Sequence, residues 1–181
     1  MVGSGSGATA VPADAPEVET SPLRFEIPAL MVAISLAADP AAAEPYVAGD
    51  RIAAFTLEDQ HDEAHTLDGG VALLLFNRDM DGGKLIKQAL EIAPAGILSS
   101  RRALYVSDIS RMPKLVAKMF ALPSMRKRPY AMLLDRDGTT TARLPSAEGQ
   151  ATLILLRDFE VTHVLHTSTA AEITRELEMP K

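Results

Sequence analysis

The chain has 181 residues, of which 47% are hydrophobic and 23% charged, enough for one domain with a buried core and a shorter tail. It contains no cysteine, which excludes disulfides, cysteine-ligated metal centres and catalytic thiols. A net charge of −6 and an aromatic content of 4% argue against nucleic acid and anionic membrane surfaces as partners.

Residues 1–45 differ from the rest and are predicted to be a disordered tail, because they begin with alternating Gly and Ser and continue with Ala, Pro and acidic residues. Within the tail, the signal-peptide-like segment 27–43 holds about a dozen mostly apolar residues, too few for a stable membrane span. Arg24 precedes it and small residues end it at Ala43, the order of a secretory signal peptide. The protein is therefore expected to be periplasmic or secreted, or else cytoplasmic. Alternatively, the segment is an amphipathic helix that docks on the domain or on another chain.

The folded domain is predicted to span residues 46–181. Loose alternation of apolar residues at the start of the domain indicates a first β-hairpin. The continuous apolar run at 71–76 indicates a strand buried on both faces, and apolar residues at helical spacing follow it. Ser110 and Ser168 are expected to cap helices, and Pro123 is expected to end one. In chain order we expect strands at 52–57 and 64–67, a strand at 71–76, a loop at 77–83, a helix at 84–92, a strand at 103–106, a helix at 112–122, a strand at 129–134, a turn at 135–138, strands at 152–156 and 161–165 around a turn at 157–160, and a last helix after Ser168.

This order predicts an α/β domain with a mixed central sheet and helices on both faces, preceded by an N-terminal hairpin. Residues 49–60 resemble the opening segment of peroxiredoxin and related thiol-oxidoreductase domains. Residues 71–84 resemble the strand, loop and helix start that carry the Cys-x-x-Cys motif there, with residues 80–83 in its place. Residues 128–138 resemble the family's cis-proline loop with its following strand and turn. The chain therefore resembles a thioredoxin-like domain without the catalytic cysteines.

The resemblance implies that the loops at 77–84 and 126–129 lie together, and that no thiol catalysis carries over. We expect a non-catalytic binding or accessory protein whose partner is a protein or peptide. The alternatives are an enzyme that uses the carboxylates and arginine of the same face, or a structural domain that assembles through its N-terminal helix. Asp79 or Asp81 is expected to pair with Arg126 or Arg128. The candidate binding residues are Asp79, Met80, Asp81, Gly82, Gly83, Arg126, Arg128 and Pro129.

Two acidic motifs resemble known sites but lack the partners that those sites need. Residues 77–83 partly match a calcium loop, yet Lys84 and Gln88 stand where that loop needs an apolar residue and a bidentate Glu. They also resemble a phosphatase nucleophile loop. Residues 135–139 resemble that loop more closely, but no Lys follows Thr139 before Lys181. We interpret the first as a loop that caps the following helix and the second as a β-turn with Gly138 at a positive φ.

Two further groups are interpreted as structural. His61 and His65 approach the His-Glu-x-x-His spacing of zinc proteases, but the Glu is one place off and the segment is predicted to be a hairpin turn. Phe120 and four methionines, Met112, Met119, Met125 and Met132, stand at spacings typical of a core, although such residues can also form an adaptable binding surface. The sequence indicates no metal and no cofactor.

Overall fold

The computed structural model describes residues 44–179, so the predictions for the tail, including the segment 27–43, lie outside the described residues. The described residues form a two-stranded hairpin and a five-stranded mixed sheet. The strands are β1 (Thr56–Glu58), β2 (Ala64–Thr66), β3 (Leu73–Asn77), β4 (Ala103–Asp108), β5 (Leu133–Asp135), β6 (Ala151–Arg157) and β7 (Glu160–Thr167). The helices are α1 (Met80–Ile92), α2 (Ile97–Ser100), a helical stretch α3 over 114–125 and α4 (Ala170–Glu178).

The large sheet has the strand order β5-β4-β3-β6-β7. Strand β4 runs parallel to β3 and β5, whereas β6 is antiparallel to both β3 and β7. Because the three parallel strands end at the same edge, the residues after β3, β4 and β5 meet there. The mixed sheet and its N-terminal hairpin confirm the predicted fold class.

Apolar side chains of β3 alternate between two buried clusters, as expected for a strand covered on both faces. Leu73 and Leu75 lie in a cluster with Ile86 of α1 and Ile173 of α4. Partly buried side chains of α2 and α3 pack against that same cluster. The second cluster contains Leu74 and Phe76 with residues that lie outside the helices, among them Ile52, Leu67, Val71 and Leu144. Within the described residues, the helices contribute to the first cluster alone, and the hairpin region and loops cover the opposite face. The helices therefore lie on one face of the sheet, whereas the sequence analysis expected them on both faces.

Helix α1 begins four residues earlier than the sequence predicts, at Met80 instead of Lys84. Asp79 is its N-cap, with one side-chain oxygen accepting the backbone N–H of Gly82 at 2.8 Å. Gly82 and Gly83, which a sequence pattern assigns to a loop, lie inside the first turn. The interpretation of 77–83 as a helix-capping segment is therefore correct, but its loop is shorter than expected.

Stretch α3 differs from the predicted helix at both ends. It begins at Lys114 after Pro113, so Ser110 lies too far ahead of the helix to be its N-cap. The backbone N–H of Ser110 donates to Asp108. The stretch consists of Lys114–Val116, a π-helical turn Ala117–Ala121 and Leu122–Met125. Pro123 was expected to end the helix, but after the π-helical turn an α-helical segment begins at Leu122 and includes Pro123. Pro123 lies in the first turn of that segment, and the helical stretch continues past it to Met125.

Strand β5 is shorter than the predicted strand at 129–134. The side-chain amide of Gln60 donates to the carbonyl of Tyr130 at 2.8 Å and accepts the N–H of Met132 at 2.8 Å. These backbone groups are thus bonded to a hairpin side chain rather than to β4. The last helix begins after Thr169 and not after Ser168. Among the described helices, none combines the length and the apolar composition that crossing a membrane requires.

Candidate functional site

A cavity of about 690 Å³ opens at the edge where β3 and β4 end. This is within the range of small-ligand and peptide sites, and the carboxyl ends of parallel strands are a common place for such sites. Its walls come from the start of α1, from the segment after β4 and from α3. Apolar lining residues include Met80, Ile109, Met112, Pro113, Val116, Phe120, Met125 and Met132.

The cavity brings together part of the predicted site. Asp79, Met80 and Gly83 line it from one side, and Arg128 lines it from the segment after α3. The two segments that the resemblance placed together thus share one cavity. Asp81, Gly82, Arg126 and Pro129 are not among the residues that line it.

Of the two predicted acids, Asp79 is the one whose carboxylate is held by hydrogen bonds from the backbone. One of its oxygens accepts the N–H of Gly82 and the other accepts the N–H of Gly149, each at 2.8 Å. The carboxylate therefore fixes the start of α1 and joins it to the loop before β6. Asp81, by contrast, is exposed and forms an ion pair with Lys84 at 2.7 Å.

Arg78 and Asp108 form an ion pair at the cavity wall that the sequence analysis missed. The Nε of Arg78 lies 3.2 Å from a carboxylate oxygen of Asp108, and the two side chains are 22% and 5% exposed. Arg78 also donates to the carbonyl of Thr141 at 2.6 Å and packs its guanidinium 5.4 Å from the ring centre of Phe76. The pair joins the ends of β3 and β4. The only sequence signal was the position of both residues at strand ends.

Arg128 is partly buried and lies beside two tyrosines. Burial raises the pKa of Tyr105, and it also raises the pKa of Tyr130, while the charge of Arg128 acts in the opposite direction on both. The Tyr105 hydroxyl donates to Asn77 at 3.1 Å, and the Arg128 guanidinium contacts the sulfur of Met132 at 3.9 Å. Both phenols are neutral near pH 7, so they do not balance the charge of Arg128.

The predicted pairing of Asp79 or Asp81 with Arg126 or Arg128 is wrong. Among residues 44–179, no such ion pair is recorded, and Arg126 instead bonds to Asp62 at 3.0 Å and to the Gln60 carbonyl at 2.7 Å. Asp62 also pairs with Arg136 at 2.7 Å. The hairpin turn places Asp62 beside Arg126, while both oxygens of Asp79 accept backbone N–H groups.

The interpretation of Phe120 and the methionines as core residues holds for only part of the group. Met132 is buried, but Met119 and Phe120 are 58% and 68% exposed. With Leu115 and Val116 they form an exposed apolar strip on α3. Val116 and Phe120 also line the cavity, so the strip continues its apolar wall outward. We name these four residues, Leu115, Val116, Met119 and Phe120, the α3 strip.

The hairpin histidines differ in their surroundings. His61 is exposed, whereas the Nε2 of His65 donates to a carboxylate oxygen of the buried Asp59 at 3.1 Å. Ligand atoms of Asp59, Glu63 and His65 lie within 4.8 Å of one another. Asp59 also accepts the backbone N–H groups of His61 and Glu63, so its oxygens are committed to the turn. Burial acts to raise the pKa of Asp59, but these hydrogen bonds and His65 together lower it.

The phosphatase-like string at 135–139 is a turn, as expected. Gly138 has a φ of +78°, and the buried Asp135 accepts the N–H groups of Gly138 at 2.9 Å and Thr141 at 2.7 Å. Its side chain thus organises the loop after β5.

Comparison with solved structures places this architecture in the thioredoxin-like fold. A candidate protein disulfide isomerase from Bacteroides thetaiotaomicron superposes with a TM-score of 0.50 at 13% identity, over 73% of this chain and 86% of that one. Peroxidoxin BcpB from Mycobacterium tuberculosis gives a TM-score of 0.48 at 19% identity, over 72% and 94% of the two chains. No protein-family model and no curated protein matches the chain.

The chain therefore has a thioredoxin-like fold without a thiol. The absence of cysteine means that it cannot itself exchange disulfides or reduce peroxides through a cysteine. Residues 80–83 take the place that the Cys-x-x-Cys motif has in the thiol oxidoreductases that the sequence resembles, and they form the first turn of α1. The edge of the sheet carries an apolar cavity beside that turn.

Proposed function

We propose that this protein is a non-catalytic thioredoxin-fold protein that binds a protein or peptide at the cavity and the α3 strip. The observation that carries the proposal is the continuity of the two surfaces: an apolar cavity wall that extends into four exposed large side chains. Exposed apolar surface of this kind marks interaction sites in folded proteins. Methionine-lined walls also adapt to partners of varied shape.

The acids of the cavity support binding over catalysis. An acid or base at an active site needs a free oxygen directed at the substrate. Asp79 bonds to two backbone N–H groups, and Asp108 bonds to Arg78 and to the Ser110 N–H. These contacts of Asp79 and Asp108 therefore favour binding over acid–base catalysis by the cavity carboxylates.

Methionine-methyl NMR tests this proposal, since the chain has eight methionines and three of them, Met80, Met112 and Met125, line the cavity with partial or full exposure. The probe is a pool of pentapeptides whose last three positions are drawn from Leu, Ile, Val, Met and Phe. We expect saturable shifts of the three cavity methyls and little change at Met179, which lies outside the cavity. Phe120→Ser is expected to weaken binding at least tenfold.

The matched control is Ile92→Ser, which removes an equally exposed apolar side chain (71% exposed) outside the cavity and is expected to leave binding unchanged. If no peptide shifts the cavity methyls, or if Phe120→Ser and Ile92→Ser behave alike, the proposed function is wrong.

We also propose that the protein is periplasmic, a location supported by the signal-like composition of residues 27–43. Expressed from its full coding sequence in a Gram-negative bacterium, the protein is expected in the osmotic-shock fraction with Glu44 as its first residue. Intact mass spectrometry measures this directly. A full-length chain in the cytoplasmic fraction would contradict export and favour the docking or assembly role of the N-terminal segment.

A further inference from the structure

The cavity carries more positive than negative charge, although the whole chain is acidic. Three of its lining cations have carboxylate partners: Arg78 with Asp108, Lys84 with Asp81, and Lys87 with Glu91 at 3.4 Å. The other two, Arg111 and Arg128, have no carboxylate within ion-pair distance among residues 44–179. Against these two guanidinium groups the described lining holds one carboxylate without a cation partner, Asp79, whose oxygens accept backbone N–H groups. The cavity therefore presents a net guanidinium charge beside apolar walls.

Arg128 is the better placed of these two cations. Arg111 is exposed to water, which screens its charge, whereas Arg128 is partly buried. The recorded neighbours of its guanidinium are the sulfur of Met132 and the neutral phenols of Tyr105 and Tyr130. A partly desolvated guanidinium without a counter-ion attracts an anion more strongly than a solvated one does.

The extent of the apolar surface indicates the size of the occupant. Leu115 and Met119 belong to the α3 strip but lie outside the cavity lining, and they are 68% and 58% exposed. A single alkyl chain that filled the cavity would leave them uncovered. A peptide whose end enters the cavity can cover the strip with its preceding residues.

We propose that the site recognises the C-terminal end of a protein or peptide, with the terminal carboxylate bound by Arg128 and the last apolar side chain lying among the cavity methionines. The planar guanidinium matches a carboxylate through two parallel N–H donors, which a lysine cannot provide. This inference rests on the proposed function and adds to it the chemical feature that selects the partner.

The test compares the same peptide pool with free C-terminal carboxylates and with C-terminal amides. The two pools have identical side chains, so a difference reports the terminal charge alone. We expect the free-acid pool to shift the methyls of Met80, Met112 and Met125 with a dissociation constant at least tenfold below that of the amidated pool. Arg128→Gln is expected to remove that difference, and Arg157→Gln, an exposed cation outside the cavity lining, is expected to retain it. Thermal melting confirms that each variant is folded.

Four results would overturn the proposal. Equal binding of the acid and amide pools at the cavity would leave the proposed function in place and remove the C-terminal specificity. Retention of the acid preference in Arg128→Gln would assign the carboxylate to another cation. Binding of decanoate, an apolar carboxylate without a peptide, more tightly than the acid pool would show that the site selects alkyl acids. If neither pool shifts the cavity methyls, both the inference and the proposed function fail.

Discussion

Glycine at position 82 shows how a single residue shapes the start of α1. Its α-carbon faces the backbone before β6, and a side-chain β-carbon there would lie 2.2 Å from the carbonyl oxygen of Gln150. Asp79 binds the same loop through the N–H of Gly149. The close approach of helix and loop at this end of the sheet therefore requires glycine.

Gly82→Ala is expected to destabilise the fold, although alanine is ordinarily the better helix residue. The added methyl group must displace backbone rather than a flexible side chain, which costs about 1–3 kcal/mol of unfolding free energy, as for overpacked cores. Urea unfolding followed by circular dichroism measures the loss. Gly83→Ala is the control, because its β-carbon would lie 3.1 Å from the side-chain amide of Asn77, a milder approach that a shift of a few tenths of an ångström relieves. A loss at Gly83 as large as that at Gly82 would contradict the assignment.

At the scale of elements, hydrophobic patterns located most strands and helices but not their ends. The run at 71–76 was located because a strand buried on both faces has a strong local signal. The last hairpin was located too, but its strands are longer than predicted and leave a turn of two residues, Asp158 and Phe159, in place of 157–160. The start of α1 was missed because Gly82 and Gly83 ordinarily indicate a loop, and their helical placement depends on the distant Gln150. Tertiary contacts, rather than local propensity, determined these ends.

For the candidate site, too, the sequence predicted which segments lie together but not which side chains pair. Residues 77–83 and Arg128 could be placed together from the resemblance, since the order of elements fixes where their segments lie. The partners of the charged groups could not be predicted, because both pairs depend on tertiary contacts. Arg78 meets Asp108 through the pairing of β3 with β4, and Arg126 meets Asp62 where the hairpin turn contacts the end of α3. The apolar α3 strip was hidden by a spacing that is equally typical of a core.

The ion pair between Arg78 and Asp108 joins β3 and β4 beside the cavity, and its removal is expected to be costly. Asp108→Ala leaves a mostly buried guanidinium without its carboxylate and is expected to lower the free energy of unfolding by roughly 3 kcal/mol. The double variant Arg78→Met with Asp108→Leu is expected to recover part of this loss, because it removes both charges. Urea unfolding of the single and double variants measures the difference.

Asp81→Ala is the control for this experiment, since it breaks the exposed pair with Lys84, in which the side chains are 70% and 63% exposed. We expect a change within about 1 kcal/mol. A loss for Asp81→Ala equal to that for Asp108→Ala would show that burial does not set the cost of these pairs.

For the whole molecule, the distribution of carboxylates predicts how stability depends on pH. The pKa of Asp62 is lowered mainly by its hydrogen bond to Arg136, and that of Asp137 by its hydrogen bonds to Thr139. Asp59 has a lowered pKa despite its burial. A carboxyl whose pKa is lower in the folded than in the unfolded chain stabilises the fold. This contribution is complete when the pH is above the pKa of the unfolded chain, here about 3.8. That contribution is lost as the pH falls through the folded-state pKa.

We therefore expect the free energy of unfolding to change little through these groups from pH 8 to 6 and to fall steeply below about pH 4. Asp59→Asn retains the shape of the buried side chain but removes its charge. It is expected to lower stability at pH 7 by about 1–2 kcal/mol, because charge-assisted hydrogen bonds to the turn become neutral ones. The fall below pH 4 should then be shallower, since one linked proton is no longer taken up.

Glu148→Gln is the control, at an exposed carboxyl that forms no hydrogen bond or ion pair among the described residues. It should leave the fall of stability below pH 4 parallel to that of the unmodified protein. An Asp59→Asn curve that also stays parallel would show that the hairpin turn does not hold this carboxylate in its charged form.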